Sequence, residues 1–193
     1  MKKLILSAFM ATAMLTASAQ TTWGVDNSHS TVKFSVSHMV ISEVEGNFKT
    51  YSGKVITTTD DFQNANIEFT IDANSINTED ANRDGHLKGD DFFYTEKFPQ
   101  IKFKGTSFKK VNGKNYILEG DLTLRDVTKK VKFMVVFNGI VKDPYGNTKA
   151  GFKATTEIKR FDYGLKWNKT VEAGGLVVSD EVQIVVNLEL KKM

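Results

Sequence analysis

The sequence contains three histidines, His29, His38 and His86, and they are the first residues to weigh for chemistry. A zinc site calls for two such ligands close together, at i and i+4 on one helix face for example, with a further ligand in a recognisable pattern. His29 and His38 lie nine residues apart on what reads as one strand, about 30 Å along it, and no carboxylate stands beside them in a known metal pattern. There is no cysteine, which removes thiolate nucleophiles and Cys-ligated metals. A serine hydrolase would need a Gly-x-Ser-x-Gly turn, and none occurs. Neither a Gly-x-Gly-x-x-Gly ahead of a helix nor a phosphate loop ending in Gly-Lys-Ser/Thr is present. The acidic residues fall mostly on polar strand faces or in turns, and they mark no catalytic pair. The expectation is no catalytic residue, no metal and no cofactor.

One polar stretch stands out: Asn82-Arg83-Asp84-Gly85-His86-Leu87-Lys88-Gly89-Asp90-Asp91-Phe92-Phe93. Read functionally, it is a mouth loop whose Arg83, His86 and Lys88 face a ligand's polar head. Read structurally, it is a capped connection in which Asp84 pairs with a neighbouring cation while Phe92 and Phe93 plug the end of the fold. Both readings stay open at this point.

The elements that must position these residues are strands. Val32, Phe34 and Val36 alternate with polar neighbours, as do Ile67, Phe69 and Ile71. The same holds for Tyr116, Leu118, Leu122 and Leu124, and for Val182, Ile184, Val186, Leu188 and Leu190. A period of two with one dry face is the mark of half-buried strands. Further strands are expected at 22–26, 53–59, 101–109, 131–141 and 149–159. Asn112-Gly113 and Asp143-Pro144-Tyr145-Gly146 supply turns between them. In the 131–141 strand both phases are apolar, so its inward face is ambiguous. The single expected helix runs from a Thr78 cap to Lys88, weakened by Gly85.

Eight or nine long strands must hide their edges as well as their dry face. An elongated, closed antiparallel β-barrel of about eight strands does both, with an interior that side chains fill or one ligand occupies. A β-sandwich has the same periodicity, but an eleven-residue strand spans about 35 Å, which suits an elongated barrel better. An outer-membrane barrel is disfavoured because Trp and Tyr form no paired girdles at the segment ends.

Residues 1–19 read as a cleaved signal peptide. Lys2 and Lys3 precede an apolar run over 4–15, and Ala17-Ser18-Ala19 supplies a small-residue cleavage pattern. One domain is then expected over 20–193, with no integral membrane segment in the mature chain and a periplasmic or secreted location. Losing Lys2 and Lys3 lowers the net charge from the +3 of the full chain to +1, which does not favour nucleic acid or an anionic surface as partner. A homodimer is left open.

Several stretches, taken in order, resemble the YceI-like family. Asp26-Asn27-Ser28-His29-Ser30 with Val32-Lys33-Phe34-Ser35-Val36-Ser37-His38 is similar to its opening signature, and Gly46-Asn47-Phe48 and Gly53 fit the next segment. Arg83-Asp84-Gly85-His86-Leu87, Asp91-Phe92-Phe93 and Phe98-Pro99-Gln100-Ile101-Lys102-Phe103 follow. Gly120-Asp121-Leu122-Thr123-Leu124-Arg125-Asp126-Val127-Thr128-Lys129, Arg160-Phe161-Asp162-Tyr163-Gly164 and Asp180-Glu181-Val182 complete the set. One departure is Asp126, where the family usually has Gly. Asp tolerates a positive φ better than most residues. The resemblance implies a lipocalin-like barrel around an apolar tunnel, an exported protein, and an isoprenoid-like or other long-chain lipid as ligand. It carries over no catalytic residue.

A chain with about 20 buried carbons gains on the order of 16 kcal/mol gross at ~0.8 per CH₂, so non-directional burial can hold such a ligand without a polar motif. The expected wall residues, each mid-strand on a dry face, are Phe34, Val36, Phe69, Ile71, Leu122, Leu124, Phe137 and Phe152. Phe92, Phe93 and Trp167 are expected at the mouth, and Arg83 and His86 near a polar head. Two rivals remain: a ligand-free structural or stress-response barrel, and a hydrolase or isomerase using His86 or His29 as acid/base with Asp84 orienting it.

Overall fold

Eight long strands, three of them broken once, follow one another around the sheet in the order in which they leave the sequence. A computed structural model describes residues 20–170 and 176–193; the signal-like segment 1–19 lies outside them. The first strand is β1 (Thr21–Val25) continued by β2 (Thr31–His38), the second β3 (Ser42–Phe48) continued by β4 (Tyr51–Thr57), and the third β5 (Asn66–Asp72) continued by β6 (Ile76–Asn77). Then come helix α1 (Ala81–Leu87), β7 (Gln100–Asn112), β8 (Asn115–Leu124), β9 (Val127–Lys142), β10 (Thr148–Lys159) and β11 (Val178–Lys192). All pairings are antiparallel. β11 closes the ring by pairing with β1 at its end and β2 along its length. The result is an up-and-down barrel with no free long edge, which solves the exposure of unpaired backbone that an open sheet would carry.

The first break is a bulge. Val25 faces Leu190 and Thr31 faces Asn187, so residues 26–30 stand opposite only Leu188 and Glu189. The Glu189 carbonyl still accepts from the Asp26 N–H at 2.8 Å, and a side chain supplements the ladder where it lapses. Ser30 Oγ donates to the Glu189 carbonyl at 3.3 Å and accepts from the Glu189 N–H at 3.0 Å. Buried backbone groups need such partners wherever pairing lapses. The Lys149 ammonium pins the bulge from outside by binding the carboxylates of Asp26 and Glu189.

The ambiguous strand resolves at a second bulge. Gly139 pairs with Gly151 while Phe137 pairs with Phe152, leaving Asn138 as the extra residue. Before it, Phe133 and Val135 point inward and Met134 is exposed; beyond it, Ile140 packs on the core and Val141 is exposed. Each phase is therefore inward on its own side of the bulge. The β8–β9 turn holds Arg125 at φ 49° and Asp126 at φ 68°. Both values fall in the left-handed region that a two-residue hairpin turn requires.

The helix begins later than its sequence suggests. Asp80, not Thr78, is the N-cap, accepting from the N–H groups of Asn82 and Arg83. Glu79 at φ 63° redirects the chain before the helix can start. Thr78 is instead buried, and its hydroxyl donates to Asp84 at 2.6 Å. Strand β3 was not anticipated as a strand, because Gly46 sits where an apolar residue would complete its alternation.

Candidate lipid-binding cavity

The interior divides into two halves along the barrel axis. At the end away from α1 it is solid. Phe62, carried by the β4–β5 loop, folds under the barrel and meets Trp23, Phe137 and Phe152 at ring-centroid distances of 5.1, 5.5 and 5.0 Å. Phe137 and Phe152 stack at 4.9 Å, and Phe108 stacks on Tyr116 at the same distance. These rings pack together as an aromatic plug in the core of that end. At the α1 end the walls stand apart and enclose an apolar cavity of about 190 Å³.

Its openness has a visible cause. Gly46 stands opposite Phe34, and Gly53 opposite Phe69, across adjacent strands. A Cβ at either glycine would fall within 3.0 Å of the facing ring. The rings therefore lie flat against glycine backbone along the wall instead of projecting into the lumen. Phe103 covers Gly120 in the same manner. Glycine inside a strand often marks such a close approach.

Of the residues expected at the site, Phe34, Val36, Phe69, Ile71, Leu122 and Leu124 line the cavity, joined by Phe92 and Phe93 from the loop after α1. Phe137 and Phe152 do not; they belong to the plug. Trp167 lies behind the mouth, stacked on Phe92 at 5.6 Å. Phe93 meets Phe48 edge-on at 5.8 Å, so this pair of loop aromatics roofs the cavity and does not fill it.

The polar head candidates are engaged elsewhere. Arg83 donates through Nε to Thr78 Oγ1 and through Nη2 to the Thr78 carbonyl, both at 2.7 Å. His86 Nε2 lies 2.9 Å from Asp91 Oδ2, with its ring edge-on to Phe92 and Trp167. The partner of His86 is therefore Asp91, not Asp84, whose Oδ1 accepts from the N–H and hydroxyl of Thr78 in place of the expected cation. His29 does have acidic neighbours: the side-chain ligand atoms of Asp26, His29 and Glu189 lie within 4.8 Å of one another. The Lys149 ammonium already binds both carboxylates, and with His29 it holds Asp26 down to a pKa of about 2. A cation is built into that cluster as a side chain, and the arrangement serves the bulge.

Two arginines carry structure that residue-type reasoning missed. Arg160 is only 4% exposed, and among the described residues no carboxylate forms an ion pair with it. Its guanidinium donates to the carbonyls of Ser179, Leu165, Trp167 and Val178 at 2.7–2.9 Å, sewing the chain after β10 to the start of β11. Burial pulls its pKa down and Asp180 opposes this. Arg125 Nη1 donates to the carbonyls of Phe92 and Gly164, tying the β8–β9 turn to the cavity roof. The one sequence hint for Arg160 was a cation continuing the dry phase of Ile158. Tyr163 beside it is buried, which pushes its phenol up to about 12.

A closed up-and-down barrel with an apolar chamber under a loop-and-helix roof defines a lipocalin-like protein. The chain belongs to the YceI-like domain family, whose model matches residues 23–190. Among its relatives is a UPF0312 protein of Staphylococcus aureus, 35% identical over 172 residues that cover 88% of this chain and 96% of that protein. The Campylobacter jejuni YCEI protein is similar in structure, with a TM-score of 0.69 and 30% identity over 79% of this chain and 87% of that one. BcnA of Burkholderia cenocepacia superposes with a TM-score of 0.73 at 24% identity, covering 86% and 98%. A polyisoprenoid binding domain from Saccharophagus degradans has a TM-score of 0.67 at 19% identity, covering 89% and 98%. At those two identities the likeness speaks for the fold. Among the described residues no helix is long and apolar enough to cross a membrane.

Proposed function

We propose that the protein binds and carries one long-chain lipid of isoprenoid type, without transforming it, in the periplasm or outside the cell. The observation that carries this reading is the chamber itself, whose lining among the described residues includes only two charged side chains, Lys33 and Arg160. Since an apolar cavity of about 150 Å³ accepts one benzene, the chamber has room for roughly eight carbon-sized groups, one segment of a longer chain. Burying about eight carbons yields on the order of 6 kcal/mol gross at ~0.8 each. Association and ordering costs of several kcal/mol come off that gross figure. The polyisoprenoid binding domain of similar fold supports isoprenoid chemistry for the ligand.

Carriage is favoured over turnover because the best acid/base pair, His86 with Asp91, stands outside the chamber, separated from it by Phe92. The signal-like leader of residues 1–19 supports export. The test is mass spectrometry of organic extracts from protein purified without detergent, after feeding the expressing cells with isoprenoid precursors. A lipid recovered near one per chain is the expected result. Repeated recovery of none would leave the ligand-free structural barrel as the better reading.

A further inference from the structure

The hairpin joining β2 to β3 is built from the wrong residues for its shape. The Ile41 N–H donates to the His38 carbonyl at 3.2 Å, closing a turn whose central residues are Met39 at φ 50° and Val40 at φ 65°. Two positive φ values in succession suit Asn-Gly, and a β-branched residue there is a steric outlier. The same segment is badly chosen for water. Met39, Val40 and Ile41 are 39, 74 and 81% exposed, and among the described residues they form the one run of three consecutive exposed large apolar side chains. Neither backbone relaxation nor solubility accounts for this choice. Apolar side chains at these positions gain free energy only in an apolar phase.

The place of the turn says which phase that is. Val36 and its partner Val182 line the cavity at this end of the barrel, and Val178 pairs with His38 directly below the turn. Met39 is tethered at its base by the Val177 carbonyl at 2.8 Å. An apolar prong therefore stands on the rim of the chamber that the proposed water-insoluble ligand must enter. Nearby charges include Lys159, Asp180 and Glu181, which border the groove beside Val40, with Lys169 behind Val177 and Glu43 on β3. The signs are mixed, which argues against a strongly charged protein or anionic headgroups as the main attraction.

We infer that residues 39–41 form a finger that inserts into the outer layer of a neutral lipid bilayer and presents the cavity mouth to it. The lipid then passes between membrane and chamber during collision instead of through water. This rests on the proposed lipid cargo, while attachment to the membrane is measurable without any cargo.

The test uses the protein lacking residues 1–19 and vesicles of phosphatidylcholine. The altered form combines Met39→Asn, Val40→Gly and Ile41→Ser. Tyr145→Ser is the control, since Tyr145 is an exposed aromatic in the β9–β10 turn at the plugged end. Flotation is expected to recover wild type and Tyr145→Ser with the vesicles and to recover at least tenfold less of the altered form. Transfer of a fluorescent long-chain probe should rise linearly with vesicle concentration for wild type and fall at least tenfold in the altered form. Its melting temperature should rise, because Asn-Gly relaxes the turn, which separates lost docking from lost folding. Equal flotation of all three proteins would overturn the finger. So would a wild-type dimer in sedimentation that the altered turn dissolves, because the prong would then serve a second copy of the chain. A probe that never binds would sink the cargo reading while leaving flotation to decide the finger.

Discussion

Gly53→Ala tests whether glycine holds the chamber open. The new methyl would meet Cδ2 and Cε2 of Phe69 inside 3.0 Å and Val25 Cγ2 at 3.0 Å, with no backbone atom among its three nearest neighbours. Ordinary contact begins near 3.4 Å, so the ring must move by about 1 Å, and away from the wall means into the cavity. Overpacking of this kind costs about 1–3 kcal/mol, and replacing a strand glycine returns roughly 0.5–1 kcal/mol of backbone entropy. A net loss of about 1–2 kcal/mol is expected in urea unfolding. The larger effect is on binding. A displaced ring occupies the space of several of the roughly eight methylene-sized groups the chamber accepts, and each excluded carbon forfeits ~0.8 kcal/mol. Affinity for a fluorescent chain-bearing probe should fall at least thirtyfold. A variant folded as wild type, with unaltered affinity and stoichiometry, would refute the reasoning.

Three more outcomes follow from named contacts. Phe133 lies on the cavity floor, 5.4 Å from Phe103, so Phe133→Ala should shift competition experiments toward chains longer by about one isoprene unit, read by mass spectrometry of mixed-chain loading. Arg160→Lys removes the planar fork from four carbonyls; a loss of about 3 kcal/mol in chemical denaturation is expected, and a loss under 1 kcal/mol would contradict the role assigned to it. Asp26 has its pKa lowered from 3.8 to about 2, so its folded carboxylate stabilises the protein above pH 4 and that contribution disappears as pH falls through 2. Wild type should exceed Asp26→Asn by about 1–2 kcal/mol at pH 7, allowing for partial solvent contact, and the gap should close toward pH 2 in pH-dependent denaturation.

The barrel was legible because alternation is a local property. Phe34, Ile71, Leu124 and Val186 each announce an inward face through their polar neighbours, and strands that pair in sequence order need no further information. The chamber was legible only in part. Phe34 and Phe137 look alike in sequence, both apolar and mid-strand, yet one lines the space and the other fills it. What separates them lies far along the chain. Phe34 rests on Gly46, while Phe137 is met by Phe62 from a loop whose inward fold no periodicity reveals. Arg160 escaped notice because its partners are backbone carbonyls, which carry no residue-type signal. His86 and Arg83 drew attention for the opposite reason: polar side chains suggest chemistry, but here they organise the loop that holds the roof.

The central claim is that a lipid chain lies in the half of the barrel beneath α1. Methyl-labelled protein titrated with a deuterium-free polyprenyl chain, observed by intermolecular nuclear Overhauser effects, tests it directly. Contacts to the methyls of Ile71, Leu122, Leu124 and Ile184, with none to Val55, Val135 or Leu190 in the plugged half, are predicted. Saturable binding whose contacts fall on the outer faces of the strands, at exposed Met134 or Val136, would contradict it.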